Sequence, residues 1–363
     1  MSQQSRPKLN LKSFIYPAIL LLLMWAVHLY RDHQHQQNVS EHTKNMVYLE
    51  GETMGTYYHI KYIDPQGRNF KTQVDSLLVA FNQSQSTYIP TSEISVFNKN
   101  HGLTYQSPYF YQVLKTSKQV YEATDGAFDP TVLPLVKAWG FGPGKKDEMT
   151  PHKVDSLKAL VDFKSISFDS LAAQKSRPEV QLDFSALAKG YGVDVVTDYI
   201  RAQGIDNIMV EIGGEVDCYG ISDKNQAWVI GIDEPLTADE LKARGGGRQL
   251  FAAIQVQDRG MATSGNYRNY YIENGKKYAH TIDPKSGYPV QHSILSATVL
   301  APNCMIADAY ATAFMVMGVE KAKTVLQQHP ELDAYLIYSD ENGKLKVYAT
   351  KKAEQSMINI RKS

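Results

Sequence analysis

The chain has 363 residues, 43% of them hydrophobic and 21% charged, which supplies a large core and excludes a disordered or collagen-like chain. Lys plus Arg number 38 and Asp plus Glu number 38, so the formal net charge is zero, and no nucleic-acid partner is expected. Two cysteines, Cys218 and Cys304, are too few for a disulfide framework and not spaced for zinc; whether they pair stays open.

Arg6, Lys8 and Lys12 precede an apolar run over residues 14–30 that contains no Asp, Glu, Lys or Arg. Its position, basic flank and lack of a small-x-small cleavage site predict an uncleaved signal anchor through the inner (cytoplasmic) membrane of a bacterium. The N-terminus then lies in the cytoplasm and the body outside it, in the periplasm. A cleaved signal peptide and a buried core helix are the competing readings. Residues 31–45, rich in Gln, His and Asn, read as a polar tether, so residues 1–45 form anchor and tether and residues 46–363 one body.

Residues 54–63 alternate like a strand. Ser107-Pro108 opens a helix running toward Gly126, and Thr150-Pro151 opens a shorter one. Residues 185–203 read as a helix closed by Gly204. Thr237 and Glu240 form a capping box, and Gly245-Gly246-Gly247 reads as a surface loop. Further strands are expected at 165–169, 180–183, 208–212, 228–232, 250–257, 269–272, 296–300, 334–338 and 345–348. Mixed elements with consecutive late strands favour an α+β fold over a doubly wound sheet.

Four segments carry chemistry. In Ala307-Asp308-Ala309-Tyr310-Ala311-Thr312, a helix places Asp308 and Thr312 on one face, a carboxylate and a hydroxyl that suit Mg²⁺; capping of a helix start is the plainer role for Asp308. In the run from Asp183 to Gly192, Lys189 adds positive charge where a helix start is already positive. That placement makes sense with a phosphate there, although a solvated ammonium explains it equally. Gly126-Ala127-Phe128-Asp129-Pro130 is an ordered loop, since Pro130 disfavours helix at Asp129; its carboxylate reads a nucleobase edge or closes an Asx turn. Thr263-Ser264-Gly265 and the run from His280 to Pro289 pair short polar residues with turn formers. Thr-Ser-Gly is not a nucleophile elbow, which excludes a serine hydrolase.

In order, these runs resemble the ApbE family, the FAD:protein FMN transferases formerly called thiamine-biosynthesis lipoproteins. The resemblance also rests on Met54-Gly55-Thr56, on Ser86-Thr87-Tyr88 with Ser92-Glu93-Ile94-Ser95 and Asn98, on Trp139 to Gly142, and on Gly213-Gly214. It covers about residues 47–350. Val96 stands where the family often has a basic residue, and a lipobox cysteine is lacking. The resemblance implies a T-fold-like α+β body of mixed sheets and packed helices that takes FAD as substrate. It implies Mg²⁺ at Asp308, Thr312 and the Ala186 carbonyl. It implies flavin and adenine contacts from Met54, Tyr88, Ala127, Phe128, Asp129, Lys189, His280 and Ile282. FMN would pass from FAD to a threonine hydroxyl of an acceptor flavoprotein, such as a membrane redox-complex subunit, releasing AMP.

A threonine hydroxyl needs a base, for which His280 is the first candidate and Asp283 the second, with Lys189 neutralising phosphoryl charge. Rival readings are a Mg²⁺-dependent FAD pyrophosphatase giving FMN and AMP, and a non-catalytic flavin-binding protein. A flavin oxidoreductase lacks support because no G-x-G-x-x-G fingerprint appears.

Overall fold

The computed structural model describes residues 12–247, 249–266, 270–273, 276–291 and 294–358. Its centre is an eight-stranded sheet: β1 (Met46–Thr53), β2 (Thr56–Ile63), β3 (Ile208–Ile212), β4 (Glu215–Tyr219), β5 (Arg259–Gly265), β6 (Ile294–Ala301), β7 (Asp333–Ser339) and β8 (Leu345–Ala349). Each strand lies beside its predecessor and every pairing is antiparallel, so the sheet is a meander with the helices inserted between strands.

Residues 54–63 do not form one strand. Met54 and Gly55 take φ of 51° and 72° between the paired Thr53 and Thr56. Two positive values in a two-residue loop make a type I′ turn, whose twist matches the flanking strands. From Thr56 the expected alternation holds: Tyr58, Ile60 and Tyr62 are buried while Tyr57 and His59 are exposed.

The buried face of β2 and β3 packs on two helices, α2 (Lys71–Gln85) and α4 (Ala188–Arg201), through Val74, Leu78, Val193, Val196 and Ile200. Here α1 is Lys12–Lys44 and α3 is Tyr109–Ala123. The opposite face, through Met209, Val216 and Met261, meets Ile232, Ala252 and Ile254 of a small sheet. That sheet orders Met357–Ile358, Leu250–Val256 and Trp228–Asp233 side by side, with Leu250–Val256 in the middle.

Helix α5 (Cys304–Met317) is almost wholly apolar and buried around nearly its full circumference, as such a composition requires. The Asn303 side chain accepts from Ile306 N at 2.9 Å, and the buried Asp194 carboxylate of α4 accepts from Cys304 N at 2.7 Å and Met305 N at 2.9 Å. Glycines make the close approach possible. A Cβ at Gly190 would lie 2.3 Å from Cys304 O, and one at Gly260 would lie 2.2 Å from Cys304 N.

The structure corrects several expectations. Residues 180–183 form only a bridge from Gln181 to Val132, because the Asn98 side-chain amide takes both Leu182 N and Leu182 O. The helix expected over 185–203 begins at Ala188, after a turn in which the Asp183 carboxylate accepts from Ser185 N. The helix expected to open with Ser107 as cap and Pro108 as first helical residue begins at Tyr109, with Pro108 at the cap position, and runs to Ala123. Part of the 269–272 expectation appears as Tyr270–Glu273, with residue 269 outside the described residues. Cys218 and Cys304 are both free and buried.

Among the described residues, no helix is long and apolar enough to cross a membrane. Side chains 14–19 of the expected anchor lie outside the described residues, and its apolar residues from Leu20 to Tyr30 are exposed.

Candidate functional site

The α4 and α5 helices meet the rim of the meander around a cavity of about 410 Å³. Asp308 and Thr312 enter from successive turns of α5, and Ala186 and Lys189 from the start of α4. The loop of Ala127, Phe128 and Asp129 forms one wall, and His280 and Ile282 form another. A second recess of about 670 Å³ adjoins it and is lined by Met54 and Tyr88. Asp183, Ser185 and Lys189 border both, so the two recesses adjoin with Lys189 at the junction.

Each wall has a local cause. Asp129 Oδ1 accepts from Thr131 N at 2.8 Å, closing the loop as an Asx turn, and Pro130 O accepts from Asp183 N at 2.7 Å, tying the loop to the start of α4. Trp139 Nε1 donates to Gly287 O at 2.9 Å and the indole stacks on Tyr278 at 5.5 Å, which braces the turn after His280. Phe141 meets the His280 ring edge-on at 6.4 Å. The strained positive φ of Met54 belongs to the turn that brings its side chain into the second recess.

The junction is electrostatically dense. Lys189 Nζ lies 2.6 Å from Glu215 Oε1, and Asp308 Oδ2 accepts from Gly190 N at 3.0 Å. Burial alone would lower the Lys189 pKa, but the Asp308 and Glu215 carboxylates overcome it and hold the ammonium above the usual lysine range. Burial raises Glu215, against the pull of Lys189, to about 7. Burial likewise raises Asp308, opposed by Lys189. Glu215 Oε2 has no hydrogen-bond partner. Two buried carboxylates around one ammonium leave local negative charge that a further cation would relieve.

The donor set fits a hard cation that takes most of its ligands from elsewhere. Asp308 offers one anionic oxygen and Thr312 a hydroxyl 3.3 Å from the Ser264 hydroxyl, and Ala186 lines the same cavity. Among the described residues there is no group of three or more His, Cys, Asp or Glu suited to a metal. One carboxylate completed by substrate phosphates and water is a usual Mg²⁺ arrangement.

Most of the residues singled out in the sequence therefore come together. Asp283 does not: it is absent from the lining of both recesses, and its carboxylate accepts from Lys285 N at 2.9 Å in the turn. Glu215 was missed. It follows the Gly213-Gly214 pair on β4, where a strand position gives no sign that it faces a lysine from α4. Asp194 of α4 caps α5, a part that no local pattern around it shows. Tyr267 lies outside the described residues.

The sequence profile of the ApbE family matches residues 54–336. An FAD:protein FMN transferase of Haemophilus influenzae is 39% identical over 82% of this chain and 88% of its own length. One of Vibrio cholerae is 37% identical over 85% of this chain and 92% of its own. The solved flavin transferase ApbE of Vibrio cholerae superposes with a TM-score of 0.74 at 35% identity, covering 86% of this chain and 99% of that one. The chain belongs to the ApbE family.

Proposed function

We propose that this protein transfers FMN from FAD to a threonine hydroxyl of an acceptor protein, with AMP as the leaving group and Mg²⁺ required. The carrying observation is the Lys189 ammonium at the junction of two recesses, ringed by Asp308 and Glu215. A dinucleotide laid across the two recesses puts one end in each and its pyrophosphate at the junction, where Lys189 and the start of α4 favour an anion. The names of the relatives support the same reading.

His280 accepts the proton of the threonine hydroxyl, whose oxygen attacks the phosphorus on the FMN side. That bond forms as the bond from phosphorus to the bridging oxygen breaks, and AMP leaves with the bridging oxygen. Lys189 holds positive charge beside the phosphoryl oxygens throughout. Asp308 and Thr312, with the Ala186 carbonyl, would hold Mg²⁺; when bound, the ion neutralises charge building on the phosphates. Phe128 and Ile282 exclude water from this cavity, and Asp129 holds the loop that shapes it.

The exposed apolar residues of α1, preceded by basic residues, support an anchor in the cytoplasmic membrane with the body on the far side. A membrane-bound redox subunit is then a natural acceptor. The test is acceptor dependence: AMP release from FAD and Mg²⁺ should require an acceptor protein. Release at the same rate into water alone would make the protein a pyrophosphatase, and FAD bound with no turnover would make it a flavin carrier.

A further inference from the structure

We infer that the acceptor's threonine-bearing segment docks as an added β-strand along the open edge of Trp228–Asp233; this rests on the transferase reading above. Trp228–Asp233 is the outer strand of its three-stranded sheet, and among the described residues no strand pairs with its other side. Successive residues of an antiparallel strand alternate their N–H and C=O groups between the partner and the free edge. A free edge of this kind is a ready template for another chain unless lysine, proline or a cover blunts it. The strand, Trp-Val-Ile-Gly-Ile-Asp, contains neither lysine nor proline, and Val229 is 48% exposed.

Beside that edge runs a trough of about 380 Å³. Val229, Ile230 and Gly231 form its wall, and His59, Lys61 and Glu211 of the main sheet form its floor. The floor is firm: Glu211 lies 2.7 Å from His59 Nδ1 and accepts from Gly214 N at 2.8 Å. Gly213 and Thr263 line both this trough and the catalytic cavity, so the two adjoin at these residues. Six strand residues span about 20 Å, enough to hold an extended segment in register. Carboxylates of Glu211 and Asp233 border the trough beside the single lysine Lys61, which suits a segment free of acidic side chains.

The experiment uses the full chain with FAD and Mg²⁺, added to an extract of the producing organism lacking this protein. Covalent flavin is read as in-gel fluorescence, and FAD affinity separately by flavin fluorescence titration. Val229→Pro and Ile230→Pro are compared, since one removes an N–H from the free edge and the other from the paired edge; the variant with unchanged melting temperature is the informative one. Val229→Glu alters the exposed side chain without touching the backbone. The inference predicts labelling slowed on the order of tenfold or more with FAD affinity held within about twofold. Labelling at the wild-type rate by Val229→Glu and by the well-folded proline variant overturns it. So does a loss of dimers on light scattering without slower labelling, which would assign the edge to a second copy. No labelled band with the wild type removes the transferase reading and this inference with it.

Discussion

At Gly190 a close backbone approach and the proposed chemistry share one atom's width of space. An alanine Cβ there would stand 2.3 Å from Cys304 O, 2.7 Å from Cys304 C and 2.9 Å from Asp308 Cβ. The first contact is about 1 Å inside ordinary van der Waals distance, and the blocking atoms are backbone at the capped start of α5, which has no rotamer to yield. Relief requires α4 and α5 to separate. Overpacking of well-filled cores is destabilising by about 1–3 kcal/mol, and a backbone clash belongs at the upper end, about 3 kcal/mol. For a body of this size that is a fall in melting temperature of about 4–5 °C. The same separation moves Asp308 away from Lys189 and stretches its bond from Gly190 N. Gly190→Ala should therefore lose both stability and transfer, measured by scanning calorimetry and by acceptor labelling at saturating FAD. A variant with wild-type melting temperature and wild-type labelling would refute the packing of α4 on α5 described here.

Asp308→Asn keeps an acceptor for Gly190 N–H and should fold normally, but Mg²⁺-dependent turnover should fall about a thousandfold; wild-type transfer at limiting Mg²⁺ would remove the metal role. His280→Ala should slow transfer on the order of a hundredfold to ten-thousandfold even at saturating FAD, and full recovery at saturation would reduce the residue to a flavin contact. Asp217, buried on β4 and pushed by burial and by Asp198 from 3.8 to about 7, is protonated in the fold where the unfolded chain has already ionised. Its sign is therefore negative with pH: stability falls between about pH 4 and pH 7 and levels above. Asp217→Asn should recover about 2–4 kcal/mol at neutral pH in denaturant titrations, and an unchanged pH profile would contradict the assignment. Removal of residues 1–45 should leave a soluble, folded body beginning at β1, checked by circular dichroism and labelling; an insoluble product would place α1 in the core.

What sequence revealed was set by how local its cause is. The capping box of Thr237 with Glu240 appears as read, because both partners lie three residues apart. The Thr150 cap does too, accepting from Lys153 N at 3.2 Å. Short apolar strands, such as Ile208–Ile212 with four of its five residues buried, were legible to the residue. β4 and β5 were not, since Glu-Val-Asp-Cys-Tyr carries buried carboxylates and Arg-Gly-Met-Ala-Thr-Ser-Gly is built of small residues with weak strand preference. At residues 180–183 the pattern was strand-like, but a side chain 84 positions away took the place of a neighbouring strand. The site divides in the same way. Asp308 and Thr312 share a helix face and were visible as a pair. Glu215 reaches Lys189 only through tertiary packing, so its part in the cluster had no local trace.

The central claim is tested most directly at the product. The full chain, FAD and Mg²⁺ are incubated with an extract of the producing organism lacking this protein, and the fluorescent band is digested and read by tandem mass spectrometry. One FMN should be found in phosphoester linkage to a threonine, with AMP released one for one and none formed when the extract is omitted. Free FMN and AMP in equal amounts without any modified threonine would contradict the account.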